Sequence, residues 1–135
     1  MREAPSVHQA RRLVTSIDVR GDDPGMSISA LLELELTDGH RVTLLDDRGW
    51  YSSGGSSAWA SSSLQRLADD ARVVVDPDEP PGGVSHDDGA AMHWDHLAAG
   101  ARAQGVLVDG PGLAALPHDV DISQEIRARV ARAAR

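Results

Sequence analysis

The chain has 135 residues, the usual length of one domain with one respectable hydrophobic core, so residues 1–135 read as a single domain. It contains no cysteine, which excludes disulfides, thiolate metal sites and cysteine nucleophiles, and its formal net charge of −8 argues against a phosphate-tracking surface and hence against nucleic acid as a partner. No apolar run approaches the ~18 residues of a membrane span, and MREAPSVHQARRLVTS lacks the continuous apolar stretch of a signal peptide, so the reading is soluble and cytoplasmic, without a membrane partner and with 1–10 loosely ordered.

In RRLVTSIDVR (11–20), Leu13, Thr15, Ile17 and Val19 alternate with Val14, Ser16 and Asp18, the period of a half-buried strand. GDDPG (21–25) turns the chain, and ALLELEL (30–36) places Ala30, Leu32, Leu34 and Leu36 on one face and Glu33 and Glu35 on the other. A hairpin to HRVTLLDD (40–47) follows. A two-residue Asp38-Gly39 loop would set Leu34 opposite Thr43 and mix the faces. A three-residue loop of Thr37, Asp38 and Gly39 sets Leu34 opposite Val42, Leu32 opposite Leu44 and Glu35 opposite Arg41, with Gly39 in the left-handed bulge position and Glu35 and Arg41 an exposed pair.

RGWYSSGGSSAWASSS (48–63) reads as a Gly/Ser-rich loop carrying Trp50, Tyr51 and Trp59, with both tryptophans packing over one end of the sheet in a protein that lacks Phe. A helix is expected over 62–71, with Ser62 and Gln65 as a capping box and Leu64, Leu67, Ala68 and Ala71 inward. Val73, Val74 and Val75 read as a short buried strand, and DPDEPPGG (76–83) as a connector. A second helix is predicted from Asp88 to Gln104, closed by a left-handed Gly105. VLVD (106–109) reads as another strand and GPGLAALPHD (110–119) as a turn with one helical turn. The last helix has Ser123 as N-cap, a stripe of Ile122, Ile126 and Val130, and arginines at its negative dipole end. The sum is an α+β fold: an N-terminal antiparallel β-meander with helices packed on one face.

All thirteen basic residues are arginine, a coding bias of GC-rich genomes. The phrases LTDGHRVTLLDDRGW (36–50) and ALPHDVDIS (115–123) resemble stretches of small uncharacterised proteins of GC-rich actinobacteria, and that resemblance implies no activity.

Several chemistries fail on spacing. SSGGSS (52–57) lacks the lysine and strand-to-helix setting of a phosphate loop, and Ser52 to Ser63 contain no G-x-S-x-G elbow. A calcium loop from Asp76 would place Asp78 third and Asp87 twelfth, but Pro80 and Pro81 stand where a ligand and a glycine belong. The remaining candidate is HDDGAAMHWDH (86–96). There His93 and His96 on a helix, joined by His86 or Asp87 from the preceding loop, have a loose resemblance to a zinc set, whereas the stronger helical pattern spaces two histidines by four. At ~100° per residue, His93 falls on the flank of the Trp94, Leu97, Ala98, Ala101 stripe and His96 nearly opposite it, so both read as solvated helix residues, with Asp87 and Asp88 stabilising the helix start. No metal or cofactor is expected.

The charge is uneven. Residues 69–121 carry eleven Asp or Glu against Arg72 and Arg102, a balance of −9, while 123–135 carry four arginines against Glu125, a balance of +3. The leading functional expectation is a non-catalytic, acidic, accessory protein of inhibitor or immunity type that binds a basic protein. The alternative is a small enzyme or ligand- or metal-binding domain with a site near Trp50, Tyr51, Trp59, His86, His93 and His96. A third is a homodimer formed through the meander edge or the last helix.

Overall fold

Strands β1 (Ala10–Val19), β2 (Met26–Leu36) and β3 (Arg41–Ser52) form the expected antiparallel meander in the computed structural model, which describes residues 9–20, 26–52, 56–77 and 82–133. The hairpin register is the three-residue one: the Leu36 amide donates to the His40 carbonyl at 2.8 Å and the Gly39 amide to the Leu36 carbonyl at 2.9 Å. Gly39 has φ +91°, a conformation that costs a residue with a Cβ and costs glycine nothing. β2 starts at Met26, four residues before the expected Ala30, because Met26 and Ile28 continue the buried alternation. Its even-numbered residues are all buried while Ser27, Ser29, Leu31 and Glu33 are half-exposed, so the even-numbered face is the one the helices cover. Most of the 1–10 segment lies outside the described residues. Gln9 is described, and its carbonyl accepts from the Thr37 amide at 2.9 Å.

The sheet order is β3-β2-β1-β4, with β4 (His118–Ile122) at the far edge. Leu13 donates to the Pro117 carbonyl and Ser123 to the Ile17 carbonyl, so numbers rise together along both strands and β4 runs parallel to β1. Two expected strands are absent and one helix is longer. Val73 to Val75 form the last turn of α2 (Leu64–Val75) rather than a strand, because Val75 continues the Leu67, Ala71 stripe and is fully buried while Val73 faces out. Packing of that one side chain outweighs the β preference of three valines. The N-cap of α2 is Ser63, whose hydroxyl accepts from the Arg66 amide at 3.1 Å; Gln65 reaches forward to Asp69 instead of forming a capping box with Ser62.

VLVD is likewise not a strand. Helix α3 (His86–Ala103) ends in a Schellman turn in which Val106 donates to Ala101 and Gly105, at φ +92°, donates to Arg102. Val106 is the buried apolar residue that closes this turn, and Asp109 already caps α4 (Gly110–Ala114), which leaves no length for a ladder. The Gly/Ser-rich stretch also differs from expectation. β3 runs on through Trp50 and Tyr51, and α1 (Ser56–Ala60) carries Trp59; residues 53–55 between them lie outside the described set, as do 21–25 and 78–81. Helix α5 (Gln124–Ala133) starts as expected, with the Ser123 hydroxyl accepting from the Ile126 amide.

The chain divides into two units. One comprises the described residues of Met1–Val14, Glu33–Leu44 and Pro77–His118, with Leu13, Leu34 and Leu36 buried among Leu97, Ala98, Ala101 and Leu113 as its core. The other comprises Thr15–Leu32, Leu45–Asp76 and the described residues of Asp119–Arg135, with Ile17, Ile28 and Leu32 buried together with Trp59, Leu67, Val75 and Ile126. Among the described residues, no helix is long and apolar enough to cross a membrane.

In the first unit, Glu35 departs from the expected exposed position. It is only 7% exposed, and arginines surround it: Arg12 Nε donates to its Oε2 at 2.6 Å, Arg41 lies 3.3 Å from Oε1, and Arg11 lies 3.8 Å from Oε2. Cross-strand pairing on β1 and β3 brings Arg12 and Arg41 to either side of it, a convergence that the hairpin pattern alone did not reveal. The Arg12 hydrogen bond is the main cause that holds the Glu35 carboxyl down at about 2, against the opposing effect of burial.

Candidate functional site

Helix α3 is built by local rules. The Ser85 hydroxyl caps it by accepting from the Asp88 amide at 3.1 Å, and Asp87 and Asp88 lie in the first turn, where the helix dipole favours carboxylates. The helix starts two residues earlier than expected, so His86 is its first residue rather than part of the preceding loop. Leu97, Ala98 and Ala101 form the buried stripe, which leaves Asp87, Asp88, Met92, Asp95 and His96 exposed. His93 is half-buried instead of fully solvated: its ring meets Trp94 edge-on, with centroids 5.1 Å apart. The three histidines are not brought to one point, and among the described residues no group of three His, Asp or Glu is arranged to hold a metal ion.

Beside Trp94, α3 and α4 enclose an open groove of about 340 Å³. Its walls are Ala90, Ala91 and Trp94 from α3 and Pro111 and Ala114 from α4, and the Asp95 carboxylate is its one charged group. Gly110 makes this possible. A Cβ there would collide with the Asp95 carboxylate and lie 3.0 Å from the Asp95 backbone nitrogen, so only glycine lets α4 start this close to α3. The Asp109 side chain then accepts from the Gly112 amide at 2.7 Å and fixes the start of α4.

The second unit separates the aromatic trio. Trp59 is 5% exposed and lies under the Arg129 guanidinium, 5.7 Å from its ring centroid, so it is a core residue. Tyr51 is exposed. Trp50 is half-buried and lines two depressions: an apolar one of about 310 Å³ with Asp70, Val73 and Val74, and a polar one of about 210 Å³ with Ser52, Ser62, Arg66 and Asp70. Among the residues predicted from sequence, Trp50 thus borders two depressions.

Reading the sequence missed Asp95, Pro111 and Ala114 in the groove, and Arg66 and Asp70 beside Trp50. Asp95 sat inside the histidine motif and was legible there. Its groove partners are supplied by a helix fifteen or more residues away, and no spacing rule connects them.

Together these elements define an α+β protein with an acidic helix bordering a small apolar groove. No protein-family model, curated protein or solved structure matches the chain.

Proposed function

We propose that the protein is a non-catalytic binding protein, accessory in the manner of an inhibitor or immunity protein, and that its partner is a basic protein. The observation that carries this reading is on α3. Asp87, Asp88 and Asp95 are exposed, with Asp88 and Asp95 about one turn on either side of Met92, itself 65% exposed, and the helix's one arginine, Arg102, is directed to the Val108 carbonyl. Carboxylates around an apolar residue complement a basic surface that has apolar contacts of its own. The same unit neutralises Glu35 with arginines, so acids left without such partners are available to another molecule.

The test compares wild type with the triple variant D87N/D88N/D95N, each immobilised and exposed to extract of the native host, with D46N/D47N on β3 as a control that also removes charge. A basic protein retained by wild type and the β3 control, but lost from the triple variant, is the expected result. Retention unaffected by the α3 changes would overturn the reading.

Trp50 favours a second reading, a small-ligand site. The polar depression there combines an aromatic ring with hydroxyls, Arg66 and Asp70, an arrangement suited to a small zwitterion.

A further inference from the structure

We propose that the groove between α3 and α4 is a socket for a single arginine side chain of the basic partner. This rests on the binding function proposed above and names the chemistry of its anchor. Size is the first argument. At about 340 Å³ the groove lies near the bottom of the range for drug-sized ligands, roughly 300–1,000 Å³, which suits one long side chain better than a cofactor.

Composition is the second. The walls are methyl groups of Ala90, Ala91 and Ala114, the Pro111 ring and the Trp94 indole, which match the methylene stem of arginine or lysine. The single charge, Asp95, is negative. A purely apolar guest would leave that carboxylate facing hydrocarbon, and an acidic guest would be repelled. A cationic tip satisfies it.

Arginine is chosen over lysine by the pairing of indole with carboxylate. A planar guanidinium stacks on an aromatic ring and presents parallel N–H groups to both carboxylate oxygens, whereas an ammonium is a compact, strongly hydrated point charge. The Asp95 carboxylate lies against Gly110, in the space a Cβ would occupy, which sets it beside the start of α4 at the groove. Around the groove, Asp87, Asp88 and Asp109 add negative charge in the same unit and favour approach of a basic segment.

The test is an NMR titration of the ¹⁵N-labelled full chain with N-acetyl-arginine methylamide, the lysine and norleucine analogues serving as comparisons. The indole Nε1 resonance of Trp94 is assigned from W94F. The arginine probe should shift Trp94 and Gly112 with millimolar affinity, the lysine probe should bind several-fold more weakly, and norleucine should bind weakest. D95N should weaken the arginine probe at least five-fold, and A114L, which fills the groove, should abolish its effect. D46N, at an exposed β3 position in the other unit, should leave it unchanged. Equal binding of norleucine would make the groove merely apolar, equal binding of lysine would remove the guanidinium preference, and absence of any shift would remove the socket. Each of these overturns the proposal. Loss of the socket with partner capture still dependent on D87N/D88N/D95N would leave the binding function standing, so the two failures are distinguishable.

Discussion

Glu35 on β2 and the acids of α3 belong to the same unit, and their surroundings are opposite. Around Glu35 the sheet supplies Arg12 and Arg41 within hydrogen-bonding distance and Arg11 close by, and the carboxylate is almost completely covered. On α3, Asp87, Asp88 and Asp95 are exposed, and the only arginine of the helix is engaged elsewhere. Counting charges along the sequence treats the two regions alike. Geometry separates them: the first group of charges is spent on holding strands together, and the second remains for a partner. An acidic composition is therefore informative only after the carboxylates that the fold itself neutralises have been set aside.

The largest stability effect should come from the core beneath this comparison. Leu34 neighbours Glu35 on β2 but points to the opposite face and is fully buried, so Leu34→Ala should cost on the order of 2–5 kcal/mol in urea unfolding. A loss as small as that of an exposed residue would mean the faces of β2 are assigned wrongly. Gly110→Ala comes next, at about 1–3 kcal/mol, because its Cβ must displace Asp95 and crowd the α3 backbone. Thermal unfolding that leaves Gly110→Ala at wild-type stability would mean that α4 does not approach α3 as closely as described.

Glu35 itself sharpens the contrast through pH. Its carboxyl titrates near about 2 in the folded chain, below its ordinary value of 4.5. Stability from this group is therefore fully present above about pH 5, and it is lost as pH falls toward 2, where the folded state must also take up the proton. Glu35→Gln should lower the urea midpoint near pH 7 and flatten the fall of stability between pH 5 and pH 2. Asp88→Asn on α3 should leave that fall nearly intact. If both variants flatten it equally, the two regions do not differ as described.

The smallest effects concern the histidines. His93 packs edge-on against Trp94, an aromatic contact worth about 0.5–1.5 kcal/mol, so His93→Ala should cost up to about 1 kcal/mol, whereas His96→Ala should stay within about half a kcal/mol. Thermal melts of the two single variants, with zinc and with chelator, check both values. A zinc-dependent rise in wild type that disappears in either variant would indicate a metal site that the described geometry does not contain.

The sequence was most informative where one local rule admitted a single solution. Thr37-Asp38-Gly39 between two alternating strands left one register that kept Leu34 opposite Val42, and that register is present. Ser123 and Gly105 marked helix ends by their own chemistry. Reading failed where two local tendencies competed and tertiary packing decided between them. Three valines favoured a strand until Val75 was needed on the α2 stripe, and VLVD looked like a ladder until Val106 closed the Schellman turn. β4 was missed although Val120 and Ile122 alternate with Asp119 and Asp121, because five residues after a proline-containing turn give little signal. The groove was the least legible feature. Ala90, Trp94, Pro111 and Ala114 acquire a shared meaning only when Gly110 lets two helices meet.

The central claim is that the α3 carboxylates recognise a basic partner. Its most direct measurement is the association rate of the captured partner with wild type and with D87N/D88N/D95N, across ionic strengths from low to about 0.5 M. Attraction between exposed charges is screened over a Debye length of about 10 Å at 0.1 M, so the wild-type rate should fall steeply with salt. The triple variant should associate slowly even at low salt and vary little. A wild-type rate indifferent to salt, or a triple variant that matches wild type at every ionic strength, would contradict the account.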